Sequence, residues 1–190
     1  MKNQNKFLEI ELKFPLINPE EAMRKLDILA RKIKKDDYQK DIYFIPLHRD
    51  FIKQNPITEW LRIRKTNENI TLNYKNWHSI NNPRAVSADE FETSIGNEEA
   101  LQKIFQYLNF KELITVEKNR NIWNFKDVEI AIDNVKDLGW FIELEDKGNF
   151  SSVDKAEEHL YKILKELNIE VGEQGFKGYP HLILEKRGLI

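Results

Sequence analysis

The segment Glu9-Ile10-Glu11-Leu12-Lys13-Phe14 spaces two carboxylates and an ammonium two residues apart, with apolar side chains between them. Successive side chains of a β-strand point to opposite faces, so Glu9, Glu11 and Lys13 would share one face and Ile10, Leu12 and Phe14 the other. The arrangement recurs along the chain. Leu61-Arg62-Ile63-Arg64 brings two guanidinium groups to one face, and Leu72-Asn73-Tyr74-Lys75 puts Lys75 on its polar side. Glu90-Phe91-Glu92 repeats the acid pair. Val116-Glu117-Lys118-Asn119-Arg120 gives Lys118 and Arg120 a common face, and Ile142-Glu143-Leu144-Glu145 ends in a further acid pair shortly after Asp133.

Half-buried strands with charge turned to water give the same alternation. The pairing of like charges separates the readings, because a solvated face usually mixes signs and adjacent like charges repel unless an opposite charge comes between them. If the sheet curls so that these faces line its interior, the acid pairs call for a hard divalent cation such as Mg²⁺ or Mn²⁺. The basic pairs call for a multiply charged anion, for which the planar arginine fork is suited. A triphosphate carrying a divalent metal answers both demands.

The elements that would position these groups follow from periodicity. Apolar residues at helical spacing predict helices over Glu20–Lys34 (after Asn18-Pro19 as cap and first turn), Glu98–Leu108 (capped by Asn97) and Val153–Leu167 (behind Ser151-Ser152). Their apolar stripes are core-packing faces. Strand patterns fall at Phe7–Phe14, Asp41–Ile45, Trp60–Lys65, Ile70–Asn76, Asp89–Ile95, Leu113–Asn121, Asn121–Phe125, Val128–Val135 and Trp140–Asp146. Turn residues sit at Asn67-Glu68-Asn69, Asn81-Asn82-Pro83 and Lys136-Asp137-Leu138-Gly139, while 47–58 and 78–87 read as loops. Many strands and few helices over 1–190, without a repeat or long linker, predict one α+β domain with a mainly antiparallel sheet.

Composition narrows the chemistry further. There is no cysteine, which excludes disulfides, thiolate metal sites and cysteine nucleophiles and suits a reducing compartment. The near-neutral net charge of −2 argues against a nucleic-acid polymer as partner. No apolar run is long enough for a membrane span and the first residues lack a signal peptide's apolar centre, so the cytoplasm is the expected address. No P-loop motif is present, and the four histidines show no metal-ligand spacing. Trp60, Trp77, Trp123 and Trp140 read as core or rim packing, and Glu185-Lys186-Arg187 as a solvated helix end or tail.

The charged strands also occur in an order that resembles a known family. Glu9-Ile10-Glu11-Leu12-Lys13 is similar to the E-x-E-x-K signature of the CYTH superfamily, the triphosphate tunnel metalloenzymes, which include class IV adenylate cyclases, thiamine triphosphatases and inorganic triphosphatases. Gln39-Lys40-Asp41-Ile42-Tyr43-Phe44 resembles the family's Q-x-D-x-Y-F strand. His48-Arg49-Asp50-Phe51 and Trp60-Leu61-Arg62-Ile63-Arg64 resemble segments of its cyclase-like branch. Leu72–Lys75, Glu90–Glu92 and Val116–Arg120 are similar to the L-T-Y-K, E-x-E and V-x-K-x-R strands. Asp133-Asn134-Val135 through Glu145 resembles D-x-V-x-x-L-G-x-F-x-E-x-E, and Lys177-Gly178-Tyr179 the closing K-x-S-Y element. The chain departs from the pattern at Ala88, where Arg is frequent and Arg84 lies off register, at Asn73 in place of Thr, and at Asn76-Trp77 in place of Gly-Pro.

The resemblance implies an eight-stranded antiparallel β-barrel with a polar interior and flanking helices. It implies Mg²⁺ or Mn²⁺ held by Glu9, Glu11, Glu143 and Glu145, with Asp133, Glu90 and Glu92 nearby. It also implies phosphate oxygens held by Lys13, Arg62, Arg64, Lys75, Lys118 and Arg120. Lys13, Lys118, Arg120 and Tyr179 are the candidate catalytic side chains, Tyr179 at the lid or mouth. The implied partner is a small-molecule triphosphate (ATP, tripolyphosphate or thiamine triphosphate), and a homodimer is compatible. The cyclase-like segments favour conversion of ATP to cyclic AMP and pyrophosphate. A triphosphatase is the alternative, and a non-catalytic polyphosphate or nucleotide binder is the rival of another class.

Overall fold

In the computed structural model, residues 8–78, 87–148 and 150–190 are described. The turn at Asn81-Asn82-Pro83, Arg84, most of the loop 78–87 and the first seven residues lie outside them. Eight strands close into an antiparallel barrel: β1 (Leu8–Pro15), β2 (Arg31–Pro46), β3 (Glu59–Lys65), β4 (Ile70–Trp77), β5 (Ser87–Ser94), β6 (Phe110–Phe125), β7 (Val128–Val135) and β8 (Gly139–Asp146). Around the barrel they run β1-β5-β4-β3-β2-β6-β7-β8, and β1 closes the circle by pairing Leu12 with Leu144 and Lys13 with Glu143. Closure gives every strand a neighbour on both sides, with the long β2 and β6 extending as a two-stranded ribbon past β3 and β7.

The helices are α1 (Pro19–Leu29), α2 (Glu98–Tyr107), α3 (Val153–Leu167) and α4 (Tyr179–Lys186). The expected caps operate: the side chains of Asn18, Asn97 and Ser152 accept the backbone N–H groups of Glu21, Ala100 and Lys155. Leu12, Phe14, Ile130, Ile132, Ile142 and Leu144 form the outer face of β1, β7 and β8, and pack on Leu26 of α1 and Leu160, Ile163 and Leu167 of α3. Each such fully buried aliphatic side chain contributes about 1.5–3 kcal/mol. Phe105 of α2 covers Ile42, Phe44 and Ile63 on the opposite side. The outward faces thus form the apolar core, and the charged faces turn inward.

Four boundaries differ from the periodicity. The first helix stops at Leu29, because Ala30 takes an extended conformation (φ −126°, ψ 161°) and Arg31 begins β2. Ile33 fits a helical repeat, but the chain's need for a long strand beside β6 prevails. The two stretches meeting at Asn121 are one 16-residue strand, β6, paired along its length with β2 and over Lys118–Phe125 with β7. The loop 47–58 contains a short 3₁₀ turn, Phe51–Lys53, capped by Asp50. The closing helix α4 begins at the Gly178-Tyr179-Pro180 junction, with Pro in its first turn, and Glu185-Lys186-Arg187 is its end. Tyr179, Ile183 and Leu184 pack against Tyr43, Trp60, Ile114, Val116, Val135 and Phe141, so α4 plugs one end of the barrel. No described helix is long and apolar enough to cross a membrane.

Candidate active site

The barrel encloses a cavity of about 470 Å³ lined mainly by ionic side chains. Of the residues singled out in the sequence, Glu9, Glu11, Lys13, Arg62, Arg64, Lys75, Glu90, Glu92, Lys118, Arg120, Glu143, Glu145 and Tyr179 all lie in its wall. The alternation of the strands brings them there, and strand order sorts them by sign. The neighbours β5-β1-β8 carry the carboxylates, while β3-β2-β6, across the lumen, carry the guanidinium groups and Lys118. β4 and β7 join the two walls, and each sends one side chain of opposite charge into a wall. Lys75 of β4 lies 2.5 Å from Glu9, 3.2 Å from Glu11 and 3.5 Å from Glu90. Asp133 of β7 receives Lys118 at 2.9 Å and the Arg120 Nε at 2.7 Å.

The basic wall is a closed set of ion pairs. Asp41 takes the Arg64 fork through Nε and Nη2, both at 2.7 Å, with Arg62 Nη1 at 3.4 Å. Arg120 binds Asp133 in the same two-pronged way and extends to Glu143 on the far wall. Burial pushes the Asp41 and Asp133 carboxyls up. Arg64 and Arg62 in one case, and Arg120 and Lys118 in the other, more than reverse this and hold both below the usual range. Burial likewise pushes Glu143 up, and Arg120, Lys118 and Lys13 bring it down. For Lys118 burial wins despite the contact with Asp133: desolvation, reinforced by Arg120, lowers its ammonium to about 8. Lys13, buried on the acidic wall, is also lowered by desolvation, and its ammonium lies 4.9 Å over the Tyr179 ring.

The acidic wall is less well neutralised. The Glu9 carboxyl lies against Glu90. Burial, outweighing Lys75 and reinforced by Glu11, raises it well above the carboxylate range. Burial also raises Glu145, despite its contact with Lys147 and with Glu11 adding to the shift. Among the described residues no three carboxylate or imidazole side chains converge on a ready-made metal site. The wall nonetheless presents crowded carboxylate oxygens with too few counter-charges, a donor set that fits a hard divalent cation.

Three expected side chains sit differently from the sequence reading. Asp133 is fully buried behind the wall, its oxygens taken by Lys118, Arg120 and the Tyr179 hydroxyl at 2.9 Å. Glu92 is exposed at the rim, where Thr71 donates to it at 3.3 Å. Tyr179 is not a rim residue: it is 6 % exposed, the first residue of the plug helix, with Lys13 and Lys118 above its ring. The structure also brings into the site residues to which the sequence reading gave no role there, including Trp60 and Trp77, which it read as core or rim packing. Gln39, Tyr43, Trp60, Asn73, Trp77, Ile122, Glu129 and Lys147 line the cavity, and Asp41 anchors two arginines from behind. The two-residue period could have found Lys147 after Glu143 and Glu145, and Glu129 before Asp133. Trp123 and Trp140, by contrast, belong to the outer core.

The segment His48-Arg49-Asp50-Phe51 contributes nothing to the lumen. Arg49 binds Glu59, which also accepts from Tyr74 at 2.6 Å and Gln54 at 3.1 Å, and Phe51 is buried. Glu59 and Tyr74 alternate with the lining residues Trp60, Asn73 and Lys75, so this cluster pins the β2–β3 connection to the barrel's outer side. Ala88 and Trp77 are cross-strand partners, and the Trp77 indole lines the cavity beside the small residue that replaces the frequent Arg. The two departures from the family pattern are one packing arrangement.

Comparison with known proteins agrees with this geometry. The CYTH domain matches residues 8–179. The chain is 35% identical over 187 residues to MJ0240 of Methanocaldococcus jannaschii, which is named as a candidate adenylate cyclase, and the match spans 96% of this chain and 99% of that one. PH1819 of Pyrococcus horikoshii OT3 superposes with a TM-score of 0.79 at 32% identity, over 94% of this chain and 99% of its own. HpAC1 of Hippeastrum, described as a candidate adenylyl cyclase with a dominant triphosphatase activity, shares the fold at a TM-score of 0.61 and 17% identity, over 95% of each chain. A closed eight-stranded barrel with a charged lumen and a family match along nearly its whole length make this chain a member of the CYTH domain family.

Proposed function

We propose that the chain is a divalent-metal-dependent enzyme that acts on a triphosphate, and that its reaction is hydrolysis. The observation that carries this reading is the confrontation of an under-neutralised acidic wall with a basic wall across one cavity. A phosphate chain lying between them would meet Arg62, Arg64, Lys118, Arg120, Lys13 and Lys75. Mg²⁺ or Mn²⁺ would be held by Glu9, Glu11, Glu90, Glu143 and Glu145, and when bound would neutralise phosphate charge and act as a Lewis acid. The arginine forks hold non-bridging oxygens in fixed positions and stabilise the charge that develops on them. Lys118, with its ammonium near 8, is poised to give a proton to the leaving oxygen as water attacks the terminal phosphorus and the bond to the bridging oxygen breaks. The proton shed by the water restores the ammonium.

Hydrolysis asks only that the phosphate chain be held. Cyclisation of ATP also requires the ribose hydroxyl to be aligned on the α-phosphorus, and so a grip on the nucleoside. Of the two segments resembling the cyclase-like branch, Trp60–Arg64 lines the lumen with groups that suit phosphate, while His48–Phe51 lies on the outer side of the barrel and offers no such grip. Cyclase activity is the second reading, favoured by the aromatic corner of Tyr43, Trp60 and Trp77 in the lining and by the name of the 35% identical relative. A non-catalytic binder would need the basic wall but not the acids facing it. Purified protein incubated with Mn²⁺ and either tripolyphosphate or ATP decides between them. Release of inorganic phosphate without cyclic AMP is expected, and cyclic AMP formed in step with pyrophosphate would overturn hydrolysis.

A further inference from the structure

Asp41 occupies the middle of the basic wall yet does not line the cavity: it is 2 % exposed and sits on β2, between the arginines of β3 and Lys118 of β6. It is the register partner of Arg64, and both its oxygens are used, one by Nε and one by Nη2 of that residue. Arg62 shares the second oxygen at 3.4 Å and reaches Glu90 on the acidic wall at 3.6 Å. Two guanidinium groups on one face, two residues apart, repel each other, and long cationic side chains swing toward water when nothing holds them. Clamping Arg64 along its Nε–Nη2 edge fixes the plane of the fork and leaves its Nη1 donors for an oxygen arriving from the lumen. Arg120 and Asp133, also register partners, repeat the device on β6 and β7.

We infer that Asp41 is a positioning residue for phosphate binding: it never touches the ligand but aims Arg64, and with it Arg62, into the cavity. This rests on the triphosphate reading of the same lumen. The role differs from simple charge balance, because a uniformly negative background would not select one edge of the guanidinium. It differs also from a metal-ligand role, because Asp41 is buried among the cations of the basic wall and its oxygens are already engaged.

The test uses inorganic tripolyphosphate, titrated calorimetrically without divalent metal into the wild type and the Asp41→Asn, Arg64→Lys and doubly substituted proteins. Asp41→Asn is expected to weaken binding by about tenfold, the scale of one charge-assisted hydrogen bond pair. The double variant should lose little more than either single one. A separate readout is the Arg64 Nε–H signal in ¹⁵N-resolved NMR, expected to exchange slowly in the wild type and rapidly in Asp41→Asn. Melting curves identify the temperature at which each variant remains folded, and binding is compared there. Unchanged affinity in folded Asp41→Asn, or additive losses in the double variant, would overturn the inference. If the wild type fails to bind tripolyphosphate both without metal and in a parallel titration with Mn²⁺, the triphosphate reading falls. The positioning claim is then judged on the Nε–H signal, and equally fast exchange in wild type and variant would overturn it.

Discussion

The two walls of the lumen carry the same kinds of side chain and treat them in opposite ways. On β3-β2-β6 and the neighbouring β7, buried carboxylates lie within 3 Å of paired cations, and Asp41 and Asp133 are held below the usual range. On β5-β1-β8, Glu9 and Glu145 are raised, because burial and like-charged neighbours outweigh Lys75 and Lys147. Burial alone therefore does not set a carboxylate's state; the local count of charges does. The basic wall is preassembled by internal counter-ions, whereas the acidic wall is left with an excess that only an added cation relieves.

The largest expected effect is on Arg120, which binds Asp133 and Glu143 at once and so ties the two walls together. Arg120→Ala should lower kcat/KM for tripolyphosphate by about 10²–10³-fold, in the range found when one transition-state donor is removed. A steady-state assay of phosphate release checks this. A residual activity within a few-fold of wild type would make the basic wall a scaffold rather than a participant.

The next test applies one substitution to each wall. Asp133→Asn strips a fully buried carboxylate from beneath Lys118 and Arg120 and should destabilise the fold by about 3 kcal/mol, as expected when one partner of a buried pair is removed. Glu9→Gln relieves crowding with Glu90 and Glu11 and should leave the melting temperature unchanged or raised, while metal-dependent turnover falls roughly 100-fold. Equal destabilisation by both, measured in urea, would erase the contrast between the walls.

The pH dependence of stability should show the same contrast. Asp133 and Glu143, lowered in the folded state, contribute stability that is present above their ordinary values of 3.8 and 4.5 and is lost as pH falls. Glu9 and Glu145, raised in the folded state, contribute most below 4.5, and their contribution is lost as pH rises through the raised values. Mn²⁺ should suppress the second limb and spare the first. Lys118, lowered to about 8 from 10.5, adds a gain in stability as pH rises between those values, which Lys118→Met should abolish. Melting temperatures from pH 3 to about 11 with and without metal, the span of these ordinary carboxylate and ammonium values, are the measurement.

The smallest effect belongs to the outer side. Arg49→Ala should cost about 1 kcal/mol through its contact with Glu59 and leave kcat/KM unchanged, since that cluster lies behind the strands. A fall in turnover at full folding would mean that the outer clamp shapes the lumen.

The period-two spacing of Glu9-Glu11-Lys13, Arg62-Arg64 and Glu143-Glu145 made the lining legible in sequence, because strand geometry assigns faces whatever the partner strand. The division into walls was hidden, for it depends on β1 lying between β5 and β8, a matter of long-range pairing. Asp41 was quoted only as part of a motif, since its partners Arg62 and Arg64 come from a different strand. Tyr179 was visible as a residue but not as the start of a helix: Gly178 and Pro180 read locally as a turn, and α4 forms because the barrel end offers Val116, Val135 and Phe141 to cover. Ala30 and Ile33 fit a helical repeat and not a strand alternation, so only the long-range pairing of Arg31 and Lys32 with β6 reveals the strand.

The seam between β1 and β8 has a consequence for how the molecule comes into being. Glu11 faces Glu145 and Lys13 faces Glu143 across the joint between the earliest-made and latest-made staves. As a nascent polypeptide lengthens, Glu9 and Glu11 emerge long before the residues that enclose them, and remain hydrated until synthesis reaches β8. Docking of the last stave is then the event that both seals the cylinder and creates its charged lumen.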